Sequence, residues 1–172
     1  MMPAARARPQ SGFTMIEVLV ALVVMSIGLL GIAKLVLYSA HSNDSAYLRS
    51  QATELAYEIL DNMRANRSQA LAGSYNTALA AGPVVPGALC LGTGANCTAP
   101  QIAAYDVYQW KSRLAAPTGE LPSGQGSVAV VGANPATATI TVSWDDSAAQ
   151  GAIAGTGYGV ATPMAITLET VL

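Results

Sequence analysis

From residue 13 to residue 37 the chain reads FTMIEVLVALVVMSIGLLGIAKLVL, apolar at nearly every position, and no proline follows until after Gly73. Beyond this block the apolar positions narrow to one stripe: Leu48, Ala52, Leu55, Ala56, Ile59, Leu60 and Met63, the spacing of a single buried helix face. The pattern predicts one helix over 13–67, about 80 Å long at 1.5 Å per residue. Its front half is apolar all round and its rear half is amphipathic. Glu54, Glu58, Asp61 and Arg64 fall on the other faces of the rear half, where they read as solvated polar surface.

Residues 68–100 are rich in Gly, Ala, Asn and Pro and lack periodicity, which predicts a long connecting loop with one short element near 75–80. Thr98-Ala99-Pro100-Gln101 has the form of a capping box with Pro in the first turn. After it, Ile102, Tyr105 or Asp106, Val107, Trp110 and Leu114 recur at helical spacing, so a short second helix follows. LPSGQGSV, residues 121–128, reads as a turn-rich entry to strands. The segments 128–131, 137–144 and 164–172 are β-branched and alternate apolar with polar, as three antiparallel strands would. Three strands cannot bury an apolar face alone and need a helix against it. The fold class is therefore α+β: a long N-terminal helix, part membrane-spanning and part amphipathic, packed on a small antiparallel sheet. The organisation is a leader over 1–12, an apolar helix over 13–40, its amphipathic continuation over 41–67 and a globular head over 68–172.

Only 10% of the 172 residues are charged, while 52% are hydrophobic. An average soluble protein carries roughly 25% charge, so the apolar excess needs a particular place, and the N-terminal block supplies it. Residues 18–33 are uncharged and give about 24 Å of helix, which reaches a ~30 Å hydrocarbon core if Lys34 snorkels and the leucines after it stay in lipid. Arg6 and Arg8 on the leader side place the long remainder outside the cytoplasm by the positive-inside rule. Eight Lys and Arg against ten Asp and Glu give a net charge of -2, and removing Arg6 and Arg8 with the leader takes it to -4. No basic excess is present to hold nucleic acid through its phosphates.

The candidate chemistry is sparse. His41 is the sole histidine and has no Ser and Asp partnership, so it reads as a residue at the membrane exit rather than a catalyst. Trp110, on a helical apolar face, reads as core rather than as a ligand platform. Asp145 and Asp146 read as a solvated turn, since Ca²⁺ would need further oxygen ligands. The glycines of GAIAGTGYG, 151–159, lack the strand-to-helix context and the Lys of a phosphate loop. Cys90 and Cys97 flank six residues, and in an oxidising compartment such a pair reads as a disulfide closing a small loop. A redox pair would favour Cys-x-x-Cys, and zinc would need two more ligands. No catalytic set, metal site or cofactor is expected, and an enzyme is disfavoured.

Glu17 is the anomaly. A carboxylate in an apolar span costs roughly 2.5 to 3.5 kcal/mol near the bilayer centre, so it needs a partner. The best processing point lies before the apolar stretch, at Gly12, because the segment after it offers only a poor small-x-small site. The run from Gly12 and Phe13 through Thr14, Met15, Ile16 and Glu17 to Leu22 resembles the N-terminal motif of type IV pilins and pseudopilins. The resemblance implies that a prepilin peptidase cuts between Gly12 and Phe13 and methylates Phe13. It also implies that Glu17 pairs with the N-terminal amine of a neighbouring subunit. A buried carboxylate and a buried ammonium become tolerable when they meet, so the two halves of the resemblance agree physically.

Further along, NDSAYLRSQATELAYEILDNMRANRS, residues 43–68, and later AAYDVYQWKSRL resemble the PilV branch of minor pilins, the type IV pilus modification proteins. Many major pilins carry a helix-bending proline near the position of Lys34, and this chain has none there. Gly28 and Gly31 serve either local flexibility or close helix packing. The resemblance implies a non-enzymatic minor pilin, held in the inner membrane with a periplasmic head and assembled into or at the tip of a type IV pilus. It would support pilus biogenesis, adhesion or twitching. Its implied partners are other major and minor pilins, the prepilin peptidase and the assembly machinery, with no specific nucleic acid. A pseudopilin of a type II secretion system, or a tip adhesin or DNA-uptake subunit, are the alternatives.

Overall fold

The computed structural model describes residues 12–91, 96–115, 119–132, 135–147 and 163–172. The expected leader up to residue 11, with Arg6 and Arg8, and the glycine-rich 151–159 segment lie outside the described residues. In order along the chain come α1 (Met15–Ala65), α2 (Arg67–Leu71), α3 (Ala99–Leu114), β1 (Gln125–Val131), β2 (Thr137–Asp145) and β3 (Pro163–Val171). The chain divides into two compact units, Met1–Ser39 and Ala40–Leu172, and α1 contributes to both. The fold is α+β, a long N-terminal apolar helix plus a small antiparallel sheet, as the pattern predicts.

In the first unit α1 is apolar and exposed around its whole circumference, from Met15 through Leu37. It is the one helix among the described residues that is long and apolar enough to cross a membrane. The expected start at residue 13 moves to Met15, because Thr14 caps the helix. The Thr14 carbonyl accepts the Glu17 and Val18 N–H groups at 3.1 and 3.3 Å, and its Oγ1 accepts the Glu17 N–H at 3.3 Å.

In the second unit the amphipathic stripe of α1 is the centre of the core. Ala52, Leu55, Ala56, Ile59, Leu60 and Met63 are all buried, with Leu48 packed at the margin. The sheet has order β1-β2-β3, both pairings antiparallel, and β2 in the middle alternates buried and partly exposed side chains. Its inward residues Ala138, Ile140, Val142 and Trp144 join the α1 stripe, together with Trp110 and Leu114 of α3.

Three local expectations change. The first strand begins at Gln125, not at residue 128, because Gly126 sits where strand and helix nearly touch: a Cβ there would lie 2.4 Å from Trp110 Cη2 and 2.6 Å from Leu114 Cδ1. On α3, Ala103, Tyr105, Trp110, Lys111 and Leu114 are buried while Ile102 is 39% exposed, so the inward face is rotated from the expected one. The element expected near 75–80 is an isolated bridge, Thr77 with Val128, that closes the outer edge of β1.

Candidate functional site

Near the start of the first unit, exposed Phe13 lies just before α1 and Glu17 stands in its exposed first turn. With Val18, Ala21, Leu22 and Met25 they line an open groove of about 190 Å³. Every side chain of this strip other than Glu17 is apolar. The carboxylate lies in the first turn, where the unpaired N–H groups of the helix make the local potential positive. Gly12 precedes it outside any helix or strand, and a Cβ there would meet nothing within 4 Å beyond its chain neighbours.

The cysteines sit far along the sequence in the head. Cys90 and Cys97 are bonded, with S–S 2.07 Å and Cα atoms 5.9 Å apart, so the structural alternative among the three readings is the one present. His41 is half-buried on α1. Trp110 is core: its ring is buried and its indole N–H donates to the Leu55 carbonyl at 2.9 Å. Asp145 and Asp146 do not form a solvated turn. Asp146 is buried and its Oδ2 accepts the Ser45 hydroxyl at 2.7 Å, while Asp145 Oδ1 accepts the Ser147 N–H at 2.9 Å. Glu58 is likewise no free surface acid, since it takes one arm of Arg113, whose Nε donates to Glu120 at 2.6 Å. The Glu120 hydrogen bond raises the Arg113 pKa; burial opposes it, and the charges of Glu58 and Glu120 add to the rise. Asp61 and Arg64 meet at 3.4 Å on the surface.

A model of the prokaryotic N-terminal methylation motif matches residues 7–33, and a model described as type IV pilin Tt1218 matches residues 35–108. The chain belongs to the type IV pilin family. No curated protein and no solved structure matches it. The two matched regions meet on α1, and the second continues through the disulfide loop into α3. A type IV pilin is a structural subunit that assembles with other pilins and the pilus machinery, and its apolar N-terminal helix anchors it in a membrane and carries it into the pilus.

Two polar groups of the pilin head escape a reading of sequence that equates polar with exposed. Lys111 is buried, and its ammonium donates to the carbonyls of Ala78 at 2.7 Å, Leu79 at 3.3 Å and Gly126. It thereby pins the 78–82 loop to both α3 and β1. Burial pushes its pKa down to about 8, still charged at neutral pH. Tyr75 is buried and donates its hydroxyl to Asp106 at 2.7 Å and to the Asn62 carbonyl at 3.3 Å. Burial raises the pKa of both partners, most strongly for Tyr75, whose phenol is further held protonated by the Asp106 carboxylate. Lys111 had a legible signal, since it stands four residues after Val107 and three before Leu114.

Proposed function

We propose that this pilin is a minor pilin of a type IV pilus. Residues 13–40 hold it in the inner membrane, the rest of α1 continues the helix to Ala65, and 68–172 form the periplasmic head. A prepilin peptidase cuts between Gly12 and Phe13 and methylates the new N-terminus. The subunit then leaves the membrane for the fibre, where its helix packs among those of other pilins. The observation that carries this reading is the methylation motif running directly into a pilin domain along one helix, with Glu17 in the exposed first turn.

The physical logic runs through Glu17. Its carboxylate has no reason to persist in an apolar strip unless a cation meets it there, and cleavage after Gly12 creates one at Phe13 or at a neighbour's first residue. A pair formed in a low dielectric is costly to break on one side only. The resemblance of residues 43–68 to the PilV branch supports a minor rather than a major subunit.

Replacing Gly12 with Leu is the test of processing, read by mass spectrometry of the N-terminus. The wild type should begin at methylated Phe13 and the variant should keep its leader. A normally methylated Phe13 in the variant would remove the cleavage assignment. Quantitative mass spectrometry of sheared fibres should find the wild-type chain well below the major pilin in amount, and its recovery only in a secretion-system fraction would refute the pilus reading.

A further inference from the structure

The 82–91 loop of the head carries an apolar surface that neither processing nor the helix explains. Val84 is 78% exposed, Val85 67%, Leu89 55% and Leu91 62%, four aliphatic side chains within eight residues. A single exposed aliphatic is ordinary, whereas a concentration of them marks an interaction site. The loop is also held in shape before it meets anything. Pro83 and Pro86 fix their own φ angles, the Leu91 N–H donates to the Leu89 carbonyl at 2.9 Å, and the Cys90–Cys97 bond closes the segment behind them. Less backbone freedom is then lost on docking than a slack loop would lose.

Charge decides what fits. No Asp, Glu, Lys or Arg occurs over residues 68–105, although ion pairs stand on other parts of the head at Asp61 with Arg64 and at Glu58 with Arg113. A charged glycan, nucleic acid or anionic headgroup finds no counter-charge on this loop. A lipid surface is disfavoured too, because the exposed set is Val and Leu without the Trp, Lys and Arg that anchor a loop at a bilayer interface. An uncharged apolar protein surface loses least by being desolvated here, and charge depletion is the mark of an interface core. Assembly with other pilins supplies such a surface in the next head along the fibre.

We propose that the loop bearing Val84, Val85, Leu89 and Leu91 docks against an uncharged apolar surface on the head of a different, neighbouring pilin. This rests on the minor-pilin reading for the identity of the partner. The Cys90–Cys97 bond acts as the positioning element that presents the four side chains.

The test uses the full-length chain in piliated cells. A diazirine amino acid at Val85 is irradiated in place and its adducts are identified by mass spectrometry. In parallel, Val85→Asp and Val85→Ile are compared with wild type in inner-membrane and sheared-fibre fractions. The expected result is an adduct on a head peptide of another pilin. With it, fibre recovery of Val85→Asp should fall about tenfold, the effect of losing one well-packed contact, while Val85→Ile recovers normally. Membrane level and disulfide formation should match wild type in both. Adducts on lipid, on a second copy of this chain or on nothing overturn the proposal, as does normal recovery of Val85→Asp. If Val85→Asp fails to accumulate, the adduct in the otherwise unaltered chain decides alone. Absence of wild type from fibres would sink the minor-pilin reading, while an adduct on another pilin's head in the membrane fraction would still uphold the docking surface.

Discussion

Replacing Lys111 with Met keeps the length and bulk of the side chain and removes three donors. In the wild type those donors serve the carbonyls of Ala78, Leu79 and Gly126 inside the head. A hydrogen bond from a charged group contributes about 1.5 kcal/mol at the low end, so the three together are worth on the order of 5 kcal/mol. Against this stands the cost of burying the charge. A pKa held near 8 instead of 10.5 corresponds to on the order of 3 kcal/mol of penalty on the ammonium. The thioether escapes that penalty, so the net loss in Lys111→Met is about 2 kcal/mol at pH 7.

The pH dependence separates this account from a simple packing defect. The unfolded lysine keeps its proton up to about 10.5 while the folded one gives it up near 8, so between these values the unfolded state binds more protons. Stability of the wild type therefore rises with pH across that window, by about 2 kcal/mol at pH 9.5, and the variant stays flat. The measurement belongs below pH 10, because Tyr75 is held protonated in the folded head and begins to oppose folding once free tyrosine ionises. Urea unfolding of the detergent-solubilised full chain can be followed by tryptophan fluorescence, since both tryptophans, Trp110 and Trp144, are buried in the head. A variant as stable as wild type at pH 7 and parallel to it up to pH 9.5 would refute the reasoning.

Gly126→Ala should destabilise the head by about 1 to 3 kcal/mol, since its methyl meets Trp110 and Leu114 at overlapping distance; an unchanged urea midpoint would show that strand and helix are not so close. Cys90→Ser should cost about 2 to 3 kcal/mol through the freed loop, and reduction of the wild type should give the same loss in the same titration. Glu17→Leu should insert and fold as wild type but fall out of the sheared-fibre fraction, because breaking one side of a buried pair costs about 3 to 5 kcal/mol. Wild-type recovery of that variant in fibres would mean that Glu17 is not the assembly contact.

The parts of the fold that could be read from sequence are those in which burial follows the repeat of the backbone. The α1 stripe from Leu48 to Met63 and the alternation along 137–144 depend on nothing else, and both appear where the spacing puts them. Gly126 was opaque because glycine signals a turn locally, whereas here it is demanded by Trp110, sixteen residues earlier in the chain. Asp146 and Glu58 were opaque for a different reason: their partners are Ser45 and Arg113, distant in sequence, and a polar residue looks solvated until its partner is known. The motif at Gly12, Phe13 and Glu17 was legible because its residues lie close together in sequence. The partner proposed for Glu17 lies on another chain, beyond the reach of spacing within this one.

The contacts between α1 and its surroundings in the head have a mechanical consequence. Trp110 fastens to the Leu55 carbonyl, Arg113 to Glu58 and Tyr75 to the Asn62 carbonyl, all within two turns of α1. Two of these fasteners come from α3, where they are three residues apart, as are their targets on α1. The helices are therefore keyed together: sliding or rotating one against the other breaks both links at once, so they share a load instead of parting in succession. A subunit pulled through its helix transmits that tension to the head as a block, which suits a fibre that must bear force without unravelling its subunits.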